Sequence, residues 1–226
     1  RLIYDNVIKV DFIHGSPFKI TTEKQTVQSE AVVVATGASP RKIGLESETK
    51  FWGRGVSSCA TCDGAFYKNK VVAVVGGGDS AMEEATFLTR FSNKVYLIHR
   101  RDSFRASKIM QKRALENPKI EVVYQTTIQE VLGDQKVSGL KLLNLQSNQE
   151  SIINLDGLFL AIGYVPATEI YQGQLEMNDN GYLIIKDHSQ SSIPGVFIAG
   201  DVEDFRYRQA VTAAGEGCKA ALDLEK

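Results

Sequence analysis

Val71-Val72-Ala73-Val74-Val75-Gly76-Gly77-Gly78-Asp79-Ser80-Ala81 joins an apolar run to a glycine triplet and then to the polar start of a helix. The apolar run reads as a buried strand. From Asp79 to about Phe91, Ala81, Ala85 and Leu88 fall on one helical face. Gly76-x-Gly78-x-x-Ala81 matches the G-x-G-x-x-G/A dinucleotide fingerprint, with the strand before it and the helix after it that such a match requires. Glycine lets backbone N–H groups approach a pyrophosphate at the helix N-terminus, and alanine lets the helix lie close to the strand. The plain alternative is a glycine-rich strand-to-helix turn without a ligand.

Working outward, Val95–Ile98 reads as the next strand. A helix from about Ser107 to Glu116 ends before Asn117-Pro118, and Ile120–Tyr124 reads as a third strand. This β-α-β-α-β order predicts an α/β protein with a parallel sheet of the dinucleotide-binding type. Alternating segments at Val137–Leu145 and Ser151–Leu155 then predict an antiparallel meander.

An internal echo extends the reading. Val32-Val33-Val34-Ala35-Thr36-Gly37-Ala38-Ser39-Pro40 aligns without gaps to Leu158-Phe159-Leu160-Ala161-Ile162-Gly163-Tyr164-Val165-Pro166. Short alternating stretches precede each copy (Phe18–Ile20 and Thr26–Gln28 before the first). The bland reading is that strands ending at turns look alike. The sharper one is a duplicated architecture, two Rossmann-like domains of the ββα type with the second inserted in the first. The expected bounds are 1–41 and 168–226 for the outer domain and 42–167 for the inserted one. Only the inserted domain displays its opening β-α-β unit, so the outer one is expected to lack its front. Residues 41–56 and 164–170 are expected to be crossings that act as hinges.

The second strand of the inserted domain ends in His99-Arg100-Arg101, with Arg105 close behind and no carboxylate at the strand end. An NAD site usually places Asp or Glu there for the ribose hydroxyl, whereas guanidinium groups suit a 2′-phosphate. NADP(H) is therefore favoured over NAD(H), against the alternative of a solvated basic face.

Elsewhere charge is balanced. The formal net charge of −1 over 226 residues gives no electrostatic case for nucleic acid or a membrane surface. The longest apolar runs, such as Val71–Val75, fall far short of the ~20 residues that span a bilayer. Three cysteines, Cys59, Cys62 and Cys218, make no disulfide framework and fit a reducing compartment, so the cytoplasm is expected.

Cys59-Ala60-Thr61-Cys62-Asp63-Gly64 holds a C-x-x-C pair followed by a carboxylate. A metal site would need about four ligands, and Cys218, His14, His99 and His188 are not suitably spaced to complete one. An inert disulfide remains open. The redox reading is favoured by the position just before the nucleotide strand, with Asp63 as proton donor and acceptor if burial raises its pKa. Its alternative is a capping or turn residue. Reduction of a disulfide by NADPH needs a relay, and a flavin supplies one.

Together, Cys59–Gly64, Gly76–Ala81, His99-Arg100-Arg101-Asp102-Ser103-Phe104-Arg105-Ala106, Ala35-Thr36-Gly37, Gly200-Asp201-Val202 and Arg208-Gln209-Ala210 through Gly215-Glu216-Gly217-Cys218 resemble the low-molecular-weight thioredoxin reductases. The resemblance runs through the whole chain in order. It implies a homodimeric flavoprotein that passes electrons from NADPH to FAD, then to the Cys59–Cys62 disulfide, then to thioredoxin. Cys62 would face the flavin, Cys59 would exchange with thioredoxin and Asp63 would move the proton. NADPH would be held by Gly76, Gly78, Asp79, Ser80, Ala81, His99, Arg100, Arg101, Arg105, Ile162 and Gly163. FAD would be held by Thr36, Gly37, Gly200, Asp201, Arg208, Gln209 and Ala210, with Asp201 on the ribitol chain. A helix cap is the alternative for Asp201. Cys218 is expected to be a packed small apolar residue. The rival functions are a related flavin disulfide oxidoreductase with another dithiol partner, and a flavin-free NADP-binding module without turnover.

Overall fold

Five parallel strands form one sheet in the order Val56–Ser57, Gly157–Leu160, Val71–Val75, Lys94–Ile98 and Ile120–Val123. This computed structural model describes residues 2–226, and Arg1 lies outside them. The chain separates into two units. One is continuous, Pro40–Gly163; the other combines the chain up to Ser39 with Tyr164–Lys226. The divisions fall a few residues before the boundaries expected from sequence, at the Ala38–Pro40 and Tyr164–Pro166 strands, which pair with each other.

The parallel sheet is the centre of the continuous unit because its strands are apolar on both faces. Val72, Ala73, Val74, Leu158 and Phe159 are fully buried. One face is covered by the helices Asp79–Leu88 and Lys108–Leu115, through Ala81, Met82, Ala85, Leu88 and Ala114. The other is covered by an antiparallel meander of Thr126–Gly133, Val137–Asn144 and Glu150–Asn154, through Ile128, Val131, Leu140 and Leu142. The result is a three-layer ββα arrangement.

Two local expectations need correction, and a third segment gains detail. The glycine-loop helix ends at Leu88 rather than near Phe91, because the chain tightens into turns in which Arg90 N–H donates to Phe87 O and Phe91 N–H to Leu88 O. The meander has a third strand, Thr126–Gly133, hidden from sequence because a register shift between Ile128 and Glu130 breaks the two-residue alternation. Residues 41–56, expected to be a crossing between domains, have local structure of their own. They contain a short helix, Glu46–Lys50, and the edge strand Val56–Ser57, with Phe51 and Val56 in the core. Glu48 is fully buried there and accepts the N–H groups of Ile43 (3.2 Å), Gly44 (2.9 Å) and Leu45 (3.3 Å).

The other unit has a three-stranded antiparallel sheet, Val7–Asp11, Phe18–Thr22 and Thr26–Ser29. It also has a parallel pair, Val32–Val34 with Val196–Ile198, and the helix Ala210–Leu224. Its core gathers Phe12, Phe18, Val34, Tyr171 and Ile198, with the Phe12 ring stacked on Tyr171 at 6.1 Å. The echoed segments adopt the same local form. Val32–Val34 and Gly157–Leu160 are both parallel strands, and each leads to a left-handed glycine, Gly37 (φ +71°) and Gly163 (φ +97°). No helix among the described residues is long and apolar enough to cross a membrane.

Candidate functional site

Because the five strands are parallel, their carboxyl ends share one edge of the sheet, where ligands bind in open α/β folds. Ser57 leads to the cysteine pair, Val75 to the glycine loop, Ile98 to His99, and Leu160 to Gly163.

The glycine loop works by close approach. A Cβ on Gly76 would stand 2.4 Å from Ala161 O and 2.6 Å from Ala81 Cβ, so the turn fits against its neighbours only without a side chain at position 76. A Cβ on Gly77 would stand 2.1 Å from the His99 ring, which packs beneath the loop. His99 Nε2 lies 3.1 Å from Ser103 O, and the ring lies beside Phe104 at 5.1 Å. Burial pushes the imidazole below its ordinary range, and Arg101 and Arg105 push the same way against contacts with the Ser103 and Gly76 backbone. At neutral pH His99 is therefore an uncharged wedge.

Above the loop opens a cleft of about 590 Å³. Its lining includes Gly76, Gly77, Gly78 and Ser80 of the loop, His99, Arg100 and Arg105 after the next strand, and Ala161, Ile162 and Gly163. Asp79, Ala81 and Arg101 do not line it. Asp79 binds Ser107 N–H, Ala81 is fully buried under the loop, and Arg101 is exposed beside it. Arg41, Lys42 and Thr126–Ile128 also line the cleft, and sequence reading missed them. The basic pair Arg41-Lys42 directly after the first echoed segment was the available signal. Among the described residues, Arg41, Lys42, Arg100 and Arg105 have no carboxylate within 4.0 Å of their charged groups. A cleft that meets a helix N-terminus through glycine backbone and holds uncompensated cations suits a phosphorylated dinucleotide.

Cys59 and Cys62 are joined as a disulfide across a four-residue helical turn, Ala60–Asp63. Ser57 Oγ accepts Cys59 N–H at 3.1 Å, and Cys59 Sγ accepts Cys62 N–H at 3.1 Å. The turn is fastened by buried Ala60, and by Gly64, which lies against Phe87, Leu88 and Phe91 of the glycine-loop helix and the turn after it. Cys62 is exposed, while Cys59 and Asp63 are half-buried.

The remaining candidates belong to the other unit. Thr36 Oγ donates to Ala167 O at 2.8 Å, and Gly37 has open space on its Cβ side. Gly200 N–H donates to Glu216 Oε2 at 2.7 Å, which ties the turn after Ile198 to the last helix. Asp204 organises the next turn by accepting N–H groups of Arg206 (2.9 Å), Tyr207 (2.8 Å) and Arg208 (3.0 Å). Arg208 holds its guanidinium 4.3 Å over the Tyr164 ring, and Gln209 opens the helix that starts at Ala210. Burial raises the Asp201 carboxyl, Asp204 adds to the rise, and Arg208 opposes it. Cys218 is an exposed free thiol rather than a packed residue, because little of this helix beyond Ala220 is buried. The small-residue pattern around it does not reveal which face is covered.

Glu203 is pushed up to about 7 by burial, then by Glu216 and Asp204, against Lys219. A carboxyl raised in the folded state binds more protons there than in the unfolded chain. Its contribution is complete below the ordinary value of 4.5 and is lost as pH rises through about 7. Denaturant midpoints measured across that window should fall with pH more steeply in the native protein than in Glu203→Gln. Parallel pH profiles would refute the assignment.

Comparison with known proteins places this geometry. The model of the pyridine nucleotide-disulphide oxidoreductase family matches residues 1–217. The chain is 50% identical over 231 residues to the mitochondrial thioredoxin reductase 1 of Arabidopsis thaliana, covering 98% of this chain and 61% of that protein. It is 51% identical over 227 residues to a thioredoxin reductase of Streptomyces coelicolor, covering 100% of this chain and 70% of that one. A solved thioredoxin reductase from Giardia duodenalis superimposes with a TM-score of 0.92 at 44% identity, covering 100% of this chain and 74% of that one. The chain thus spans about three fifths of the length of the Arabidopsis relative. It belongs to the pyridine nucleotide-disulphide oxidoreductases and, among them, to the thioredoxin reductases.

Proposed function

We propose that the protein carries out NADPH-dependent reduction of the thioredoxin disulfide, with Cys59–Cys62 as the exchanging pair. One observation carries the reading: a C-x-x-C disulfide and an uncompensated cationic dinucleotide cleft rise from the same edge of one parallel sheet. The continuous unit is read as the NADPH domain. The residues fit that nucleotide, with Gly76–Gly78 and Ser80 at the pyrophosphate and Arg100 and Arg105 at the 2′-phosphate.

The other unit is read as the FAD domain. Its Val32–Val34 strand repeats the local form of Gly157–Leu160 but lies at an edge among the described residues. The donor set fits a flavin. Gly37 is open, and Asp201 stands at a strand end where a carboxylate suits a polyol. Arg208, Gln209 and Ala210 sit where a helix begins. When bound, NADPH would supply hydride and FAD would relay the electron pair to sulfur.

The protein's own residues do the rest. The opened pair gains two electrons and two protons, and Asp63 is placed beside Cys62 to carry one of those protons. A thiolate of the pair then attacks the thioredoxin disulfide through a mixed disulfide. The same reading makes the protein a cytoplasmic homodimer. The test supplies FAD and thioredoxin and follows NADPH oxidation. NADPH should support turnover far better than NADH. The double variant Arg100→Gln/Arg105→Gln should lose about tenfold or more with NADPH and little with NADH. Equal loss with both nucleotides, or turnover indifferent to thioredoxin, would overturn it.

A further inference from the structure

The carboxylate of Asp79 is hard to reconcile with direct contact to a phosphate. It stands at the first position of the glycine-loop helix, where bound phosphates face the backbone amides and a negative side chain would repel them. Its side chain is exposed and lies outside the cleft lining. Asp79 Oδ1 instead accepts the N–H of Ser107 at 2.7 Å, bridging 28 residues of sequence. Ser107 is the residue before the helix Lys108–Leu115, so this bond also satisfies an N–H at a helix start where no side-chain cap of its own is present.

Two more attachments converge on the same segment. Gly77 O accepts Arg105 N–H at 2.8 Å and Ala106 N–H at 3.1 Å. His99, wedged under Gly77, reaches Ser103 O at 3.1 Å. The stretch from Ser103 to Ser107, which carries Arg105 into the cleft, is thereby fastened to the glycine loop at three points.

We propose that Asp79 is a positioning residue that clamps the arginine-bearing segment to the glycine loop and thereby sets the preference for a 2′-phosphorylated nucleotide. The inference rests on the NADPH reading of the cleft. The clamp fixes the backbone on the C-terminal side of Arg105, while the Gly77 carbonyl fixes it at Arg105 itself. With both in place the guanidinium is held ready for the phosphate; without Asp79 the end of the segment at Ser107 is left for the ligand to order, and affinity for the 2′-phosphate falls. The pyrophosphate amides do not depend on this bond, so the effect is selective.

The pair of probes that isolates this is 2′,5′-ADP and 5′-AMP, titrated by calorimetry against the wild type, Asp79→Asn and Asp79→Ala. Asn keeps an oxygen for Ser107 N–H and removes the charge; Ala removes both. Asp79→Ala should bind 2′,5′-ADP about tenfold more weakly and 5′-AMP within about twofold of wild type. Asp79→Asn should retain the wild-type ratio of the two affinities. The proposal is overturned if Asp79→Ala keeps that ratio, or if Asp79→Asn loses it as fully as Asp79→Ala. A wild type that does not discriminate between the two probes overturns the NADPH reading itself, a result distinct from either.

Discussion

On the proposed function, Cys62→Ser should abolish thioredoxin reduction, by on the order of a thousandfold or more, while NADPH and 2′,5′-ADP should still bind with native affinity. The two results separate because the sulfur pair and the cleft use different strand ends. The cysteines follow Val56–Ser57, whereas the nucleotide loops follow Val71–Val75, Lys94–Ile98 and Gly157–Leu160. Serine is close in size, and position 62 is exposed, so the turn keeps its fastening through Ala60 and Gly64. What disappears is the partner sulfur that makes the bond reversible. The measurement is NADPH oxidation with thioredoxin present, paired with calorimetric titration of the nucleotide. Persistent thioredoxin reduction in the variant would refute the relay, and lost nucleotide binding would show that the turn and the cleft are not independent.

Glu48→Ala destabilises the continuous unit by about 3–5 kcal/mol. The carboxylate is fully buried and is the acceptor for three consecutive backbone N–H groups, Ile43, Gly44 and Leu45. Alanine leaves those donors without a partner and leaves a void beside the core that holds Phe51 and Val56. Glu48→Gln retains an oxygen and should lose roughly half as much. The denaturant midpoint reports the total, and amide hydrogen exchange at Ile43–Leu45 localises it. Unchanged exchange there would refute the role.

The contrast between Glu48 and Gly76 shows what sequence alone can reveal. The glycine loop, the helix after it and the flanking parallel strands were legible because periodicity, glycine spacing and burial all point the same way in 71–98. The short helix around Glu48 was not. Its defining interaction is a side chain reaching back to its own preceding backbone, and Leu45, at the position before the helix, is not a capping residue type. The Thr126–Gly133 strand was missed because a register shift breaks the alternation that marks a strand. Arg41 and Lys42 were missed for a different reason. Nothing local links them to the glycine loop, and only the closing of the sheet around Gly163, whose backbone oxygen accepts Arg41 N–H at 2.9 Å, brings them to the cleft. The basic run after Ile98 was read as one group, yet Arg100 and Arg105 line the cleft, Arg101 does not, and His99 both lines it and packs against Gly77.

The cysteine turn hangs from a border strand of only two residues, Val56–Ser57, while the cleft loops follow three other strands, Gly157–Leu160, Val71–Val75 and Lys94–Ile98. On the proposed function, thiol chemistry is thus a peripheral fitting beside a cleft built by other strands. A lineage that lost both sulfurs would still inherit the cradle and could be put to other uses of a reduced pyridine coenzyme, whereas one that lost a central strand would inherit neither.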